Sequence, residues 1–280
     1  LPYSVEETIG HIEMAVNKYG ANYISVTDDD SFVDLDRMYT LFKEIKKKNL
    51  NITIGFRGAR INELDRMDTG YLQLMQESGV KHFAIGVESG SQRILNLMRK
   101  GITVEQTIRV NKKLAKFPKL RPLYNIMVGI PGETLEDLKM TKDLMLRLVK
   151  DNPYCLTGSA SDFKPIPGSE FFNLSIEYGF EPPKTLEEWS KYDSFDAYIC
   201  HPWYSKSFKE YINMMQVTSY FIDDKIPKEI TSNSPIYRLM RLAAKLYKPV
   251  ALFRLKNSIT NFLIEYKLIK LVPRFLKPKS

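Results

Sequence analysis

"HFAIGVESGSQRILNLMRKG", His82 to Gly101, decides the fold. His82 to Gly86 read as a short apolar strand, and the residues from Arg93 onward read as a basic helical run. Between them stand Glu88, Ser89, Gly90 and Ser91, at the place where the strand should end. That cluster has two readings. It is a turn that caps the next helix, or it is the wall of a ligand site. Glu and Ser can hydrogen-bond ribose hydroxyls, and Gly90 would let a backbone approach closely.

Working outward, strand-like runs recur at 22–27, 51–56, 82–87, 122–130 and 155–163, one every 30 to 40 residues. Most read as apolar on both faces, as a buried parallel sheet requires. Helical patterns lie between them. In 35–49, Met38, Leu41, Phe42 and Ile45 form one stripe; 69–79 ends in Gly79, a C-cap residue. The runs 103–117 and 134–151 are amphipathic, and Thr134 with Asp137 has the form of a capping box. This is the rhythm of a parallel α/β fold, and crossovers between consecutive neighbours would curl it into a whole or partial barrel. Helix 4–19 comes first, with no strand ahead of it. After about residue 180 the rhythm stops. An aromatic, Pro-containing stretch (179–205) leads to helices expected near 206–224, 235–247 and 250–271, read as an appendage. The expected division is 1–178 for the partial barrel and 179–280 for an irregular, helical extension.

In parallel α/β folds ligands sit at the carboxyl ends of the strands. The first end carries Asp28, Asp29 and Asp30, either a solvated acidic turn or a grip for an ammonium group. The second carries Arg57 and Arg60, a surface ion pair or a fork for a carboxylate. The third is the opening cluster. The fourth is "GIPGE", in which Gly129, Pro131 and Gly132 make a tight corner before Glu133 and Thr134 open a helix. The fifth holds Pro165, Pro167 and Gly168, a plain loop or a set of backbone amides facing an adenine edge. Together the five ends suit a nucleoside that carries both a carboxylate and an ammonium group.

The ordered set "TDDDSF … RINEL … GVESGSQRILNLMRKGIT … MVGIPGETLED … PIPGSEFF" resembles the radical S-adenosylmethionine enzymes, closest to the group that often carries a cobalamin-binding domain ahead of the radical domain. The resemblance covers about residues 4–175. It implies an α/β fold, a partial (β/α)6 TIM-like barrel of parallel strands with a C-terminal helical extension. It also implies S-adenosylmethionine as cofactor, and a 4Fe-4S cluster held by a CxxxCxxC loop after the first strand. It further implies an electron donor such as flavodoxin or ferredoxin, and cobalamin through an upstream domain. Residue by residue, Asp28 and Asp29 fall where the family meets the methionine amino group. Arg60, Glu88 and Ser89 fall at ends that meet ribose and carboxylate. Arg93 and Lys100 add charge toward the methionine carboxylate. Gly129, Pro131, Gly132 and Glu133, then Pro165, Pro167 and Gly168, match the adenine contacts.

The chain departs from that pattern at the cluster. It has two cysteines, Cys155 and Cys200, with no metal-ligand spacing and no CxxxCxxC, so a 4Fe-4S cluster has no thiolate anchor in it. Without an initiator Met and opening on a helix, it is expected to be a catalytic-core piece cut just after the cysteine loop. The alternative is a relative that binds a nucleoside without cleaving it. The expected activity belongs to the full-length parent: a radical enzyme, a cobalamin-dependent methyltransferase or a cyclase, acting on a small or lipid-like substrate. A cytoplasmic, reducing setting fits the cysteine count.

Of the net charge of +8, residues 235–280 carry eleven Lys and Arg against Glu265 alone, leaving about −2 for the first 234. The tail 250–279 is basic and amphipathic, with apolar runs too short to span a bilayer. It is expected either to dock on the barrel or to lie on an anionic membrane. No nucleic-acid partner is expected. His11, His82 and His201 have no ligand spacing, and "CHPWY" (200–204) reads as an aromatic loop covering the barrel.

Overall fold

The structure is a computed structural model that describes residues 3–192, 201–229 and 232–261. α1 (Val5–Tyr19) precedes β1 (Tyr23–Val26), and α2 (Leu35–Lys47) leads to β2 (Thr53–Ala59). α3 (Ile61–Arg66) and α4 (Thr69–Glu77) lead to β3 (Val80–Glu88). α5 (Gln92–Leu97) and α6 (Val104–Leu114) lead to β4 (Arg121–Val128), and α7 (Leu135–Asp151) to β5 (Leu156–Asp162). α8 (Glu170–Glu177), α9 (Leu186–Tyr192), α10 (Lys206–Ser219), α11 (Lys225–Glu229) and α12 (Pro235–Lys256) come after β5.

The five strands are parallel and lie in chain order, β1-β2-β3-β4-β5. Consecutive order with helical crossovers gives a partial TIM-like barrel. Helix boundaries obey local chemistry. Ser4 and Glu7 cap α1 reciprocally, and Gly20 ends it in the left-handed region. Thr134 and Asp137 form the capping box of α7. The stripe Met38, Leu41, Phe42 and Ile45 is buried, as its spacing predicts. Gly79, at φ +94, passes over Ile52 O, where a Cβ would stand 2.4 Å away.

One expectation is corrected by the sheet. The strands are not covered on both faces. Phe56, Phe83, Ile85, Val87, Tyr124, Ile126 and Val128 point into the helix-covered core. The other face carries Tyr23, Ser25, Gly55, Arg57, Ala84, Gly86 and Asn125, and burial alternates along β1 and β3 accordingly. Its small and polar side chains leave a lumen rather than a second core.

The C-terminal region also differs from expectation. Residues 235–256 form one helix that runs through Pro249 instead of two helices flanking it. The proline forfeits one backbone hydrogen bond, but Ala244, Ala251 and Leu255 are buried on both sides of it, and that packing keeps the helix continuous. α10 packs against β5, and Phe208, Tyr211, Ile212, Met214 and Met215 join the same core as the sheet. Residues 262–280 of the basic tail, and Cys200, lie outside the described residues. Among those that are described, no helix is long and apolar enough to cross a membrane.

Candidate functional site

Parallel strands in chain order bring all five strand ends to one rim. At its first edge, Ser31 N donates to Gly58 O, and a Cβ on Gly58 would stand 1.9 Å from Asp29 O. The Asp28–Asp30 turn therefore rests directly on the end of β2. Asp28 and Asp29 are exposed to solvent. Asp30 is nearly covered and pairs with Arg60, Nε to Oδ2 at 2.8 Å. Glu63 Oε2 accepts from Arg60 N at 3.1 Å, and burial together with the neighbouring Asp30 carboxylate raises the Glu63 pKa.

At the middle of the rim, Glu88 has φ +65, a left-handed conformation that costs a non-glycine residue about 1 kcal/mol or more. Ser89 N closes the turn onto Val87 O at 2.9 Å. The Glu88 side chain folds back over Gly86 and pairs with Lys100, Nζ to Oε1 at 2.8 Å. A Cβ on Gly86 would stand 2.4 Å from Glu88 Oε1 and 2.9 Å from Lys100 Nζ. Glycine at 86 makes room for the ion pair at the lumen's mouth, and no residue with a side chain would.

Behind Glu88, one turn of α7 holds the loop. Thr141 Oγ1 meets Ser89 Oγ at 3.0 Å and accepts from Gly90 N at 3.0 Å. A Cβ on Gly90 would strike Met140 O at 2.4 Å. Ser91 Oγ donates to Asp137 at 2.6 Å, Arg93 is bonded to the Asp137 carboxylate, and Arg93 Nη2 donates to Gly132 O at 2.8 Å. Asp137 is buried, yet the bonds from Arg93, Ser91 and Thr134 outweigh desolvation and hold its pKa well below the usual range. Ser89, fully buried, and Arg93, turned onto Asp137, thus brace the loop between the third and fourth ends. They do not open into the lumen as Glu88 and Lys100 do.

At the fourth end, Gly129 (φ +82) and Gly132 (φ +81) make the corner that "GIPGE" predicts. Glu133 Oε2 accepts from Gly129 N at 2.5 Å and Ile130 N at 3.3 Å, while Oε1 is buried without a hydrogen-bond partner. Burial pushes the Glu133 carboxyl up to about 7, against the pull of those two amides. At the fifth end Pro165 is buried, and Pro167 and Gly168 are exposed.

An aromatic loop closes over the last two ends, as "CHPWY" suggests. His201 is buried, stacks on Trp203 at 4.3 Å between ring centres, and bonds Phe163 O through Nε2 at 2.8 Å. Trp203 Nε1 donates to Gly129 O at 3.1 Å. Tyr204 Oη reaches Gly129 O at 3.4 Å and Asp162 Oδ1 at 3.3 Å. A Cβ on Gly129 would overlap the Tyr204 hydroxyl. No local signal marks these partners, because 74 and 75 residues separate them from Gly129.

Could the rim hold the implied groups? For S-adenosylmethionine the donor set fits: acids at the first end, an ion pair over a glycine at the third, and glycine corners that bring backbone close at the fourth. For an iron–sulfur cluster it does not. Cys155 stands just before β5, at the end of the sheet opposite the rim; it is buried, and burial pushes its thiol up to about 12. Among the described residues no group of His, Cys, Asp or Glu is arranged to hold a metal ion.

A family model described as the radical SAM superfamily matches residues 2–145. An uncharacterised methyltransferase of Pyrococcus horikoshii is 28% identical over 194 residues, 69% of this chain and 39% of that protein. Cytidylyl-2-hydroxyethylphosphonate methyltransferase of Streptomyces wedmorensis is 27% identical over 190 residues, 65% of this chain and 33% of that one. The chain thus spans about two fifths and one third of these relatives. Among solved structures, the cobalamin-dependent S-adenosylmethionine radical enzyme OxsB, with aqua-cobalamin and S-adenosylmethionine bound, shares the fold over 98% of this chain and 45% of its own. The TM-score is 0.62 at 16% identity.

Proposed function

The chain belongs to the radical SAM superfamily, and from that premise we propose that its strand-end rim is the S-adenosylmethionine-binding wall of a methyltransferase-type radical enzyme. One observation carries the reading: the Glu88–Lys100 pair, folded over Gly86 by a left-handed turn, at the mouth of an open lumen. A strained residue whose charge is set over a glycine suits a ligand better than a simple helix cap.

In this reading Asp28 and Asp29 face the amino group of the methionine moiety. Glu88 accepts from ribose hydroxyls, and Lys100 balances the carboxylate. Gly129, Pro131 and Gly132 present backbone to the adenine, with Pro165, Pro167 and Gly168 on its far side. Glu133 positions the Gly129 and Ile130 amides. Arg60, Ser89 and Arg93 act through Asp30, Thr141 and Asp137, holding the three loops in place. Bound S-adenosylmethionine supplies a methyl group or a deoxyadenosyl radical; these residues bind and orient it. A cluster serving this rim would take its thiolates from outside these 280 residues, and flavodoxin or ferredoxin would be its electron donor. The fold shared with OxsB makes cobalamin the further cofactor to test. Tyr23 and Leu123 on the lumen face suit a small or lipid-like substrate.

A second reading, nucleoside binding without cleavage, is favoured by the position of Cys155 away from the rim. Calorimetric titration of S-adenosylmethionine into the chain tests the shared premise. Glu88→Gln and Asp29→Asn should each weaken binding about tenfold or more. Unchanged affinity in both variants would remove the assignment. Release of deoxyadenosine or a methylated product by iron- and sulfide-reconstituted full-length protein then separates the two readings.

A further inference from the structure

α12 has two apolar faces. Ala244, Ala251 and Leu255 are buried where it packs on α7 and α10. On the other side Ile236, Leu239, Leu242, Leu246, Val250 and Phe253 are 54%, 66%, 54%, 70%, 47% and 63% exposed. Their spacings of three and four residues align them in one row about 26 Å long. Single exposed leucines are ordinary on a protein surface, but six aliphatic or aromatic side chains in one row are not.

The charges of this helix are all of one sign. Arg238, Arg241, Lys245, Lys248, Arg254 and Lys256 stand on it, with no Asp or Glu. Residues 1–234 sum to about −2, so the excess of positive charge is confined to residues 235–280. Helical geometry sets Arg238, Lys245 and Lys256 along one border of the apolar row. Lys248 is turned away to Asp224, at 2.6 Å.

We propose that α12 lies in the plane of an anionic membrane surface, with its apolar row at the headgroup–acyl boundary and its bordering cations on lipid phosphates. Charge complementarity selects this occupant. An antiparallel pairing with a second copy of the helix would set the two cationic borders side by side, whereas an anionic bilayer meets both the row and its border. The contact is lateral, and it is independent of how the rim is used.

Co-sedimentation of the full 280-residue chain with vesicles tests the proposal. One set is phosphatidylcholine alone and the other is phosphatidylcholine mixed with phosphatidylglycerol. Wild type should pellet with the mixed vesicles and stay in solution with the neutral ones. Leu239→Ser/Leu246→Ser/Phe253→Ser should abolish the binding, and Arg238→Gln/Lys245→Gln/Lys256→Gln should weaken it about a hundredfold. All six positions can change without disturbing the core, and circular dichroism checks that the helix persists. Wild type remaining in solution with both vesicles, equal pelleting with both, or full binding by the glutamine variant would overturn the proposal. So would a dimer in light scattering that the serine variant splits, since a second copy would then be the occupant.

Discussion

Lys100 Nζ stands 2.8 Å from Glu88 Oε1, and both atoms lie over the bare Cα of Gly86. The space that holds this ion pair is the space that a side chain at 86 would take. Gly86→Ala should therefore push the pair aside while leaving the fold intact, because the atoms it meets are the ends of flexible side chains. Expected are an unfolding midpoint close to wild type and S-adenosylmethionine binding weaker by about tenfold. Equal affinity in the variant would separate the ion pair from ligand binding.

Gly90→Ala should behave in the opposite way. Its Cβ would meet backbone, Met140 O at 2.4 Å and Thr141 Cα at 2.7 Å, and neither can swing away. A loss of about 2 kcal/mol is expected in urea unfolding, the range of overpacked interiors. A variant as stable as wild type would show that the loop after β3 can move off α7 at little cost.

Glu133 makes stability depend on pH near neutrality. Its folded pKa of about 7 lies above its ordinary value of 4.5, so the folded state binds the proton more tightly than the unfolded chain. The stability this contributes is complete below about pH 4.5 and is lost as pH rises through 7, about 3 kcal/mol in all. Glu133→Gln retains an acceptor for the Gly129 and Ile130 amides and cannot ionise. Its stability should be flat across this window, whereas wild type weakens from pH 5 to pH 8. Parallel denaturation curves at the two pH values for wild type would refute this.

Asp137 should act in the opposite direction and at lower pH. Its folded pKa is depressed, so its contribution is present above its ordinary value of 3.8 and is lost as pH falls below that. Asp137→Ala strips partners from Ser91, Thr134 and Arg93 at once and should cost about 3 kcal/mol at pH 7. Arg93→Ala should cost less, because Arg93 is half exposed and Ser91 and Thr134 remain bonded to Asp137. Thermal unfolding of wild type and both variants at pH 7 checks the order, and the gap to wild type should begin to narrow only as pH falls below 3.8.

Much of this is legible in the sequence because the signals are local. Met38, Leu41, Phe42 and Ile45 announce α2 by spacing alone, and Thr134 with Asp137 announces the start of α7. The rim comes from five strands in regular succession, which leaves little choice of topology. The hidden features depend on distant partners or on shape. Ala84 and Gly86 look like buried strand residues because small size reads the same in a core as in an open lumen. The left-handed turn at Glu88 is invisible in a residue type that rarely adopts it. The rule that proline ends a helix splits the last helix at Pro249, but burial on both sides outweighs one missing hydrogen bond. The short helix α3 escapes notice because six residues carry too little periodicity to read.

Asp137 and Thr141 are one helical turn apart on α7, and between them they fasten Ser89, Gly90, Ser91 and, through Arg93, Gly132. The segments 88–93 and 129–134 consequently share a single latch. They form one cooperative unit of local opening, and their hydrogen-bonded amides should share one free energy of opening in hydrogen exchange.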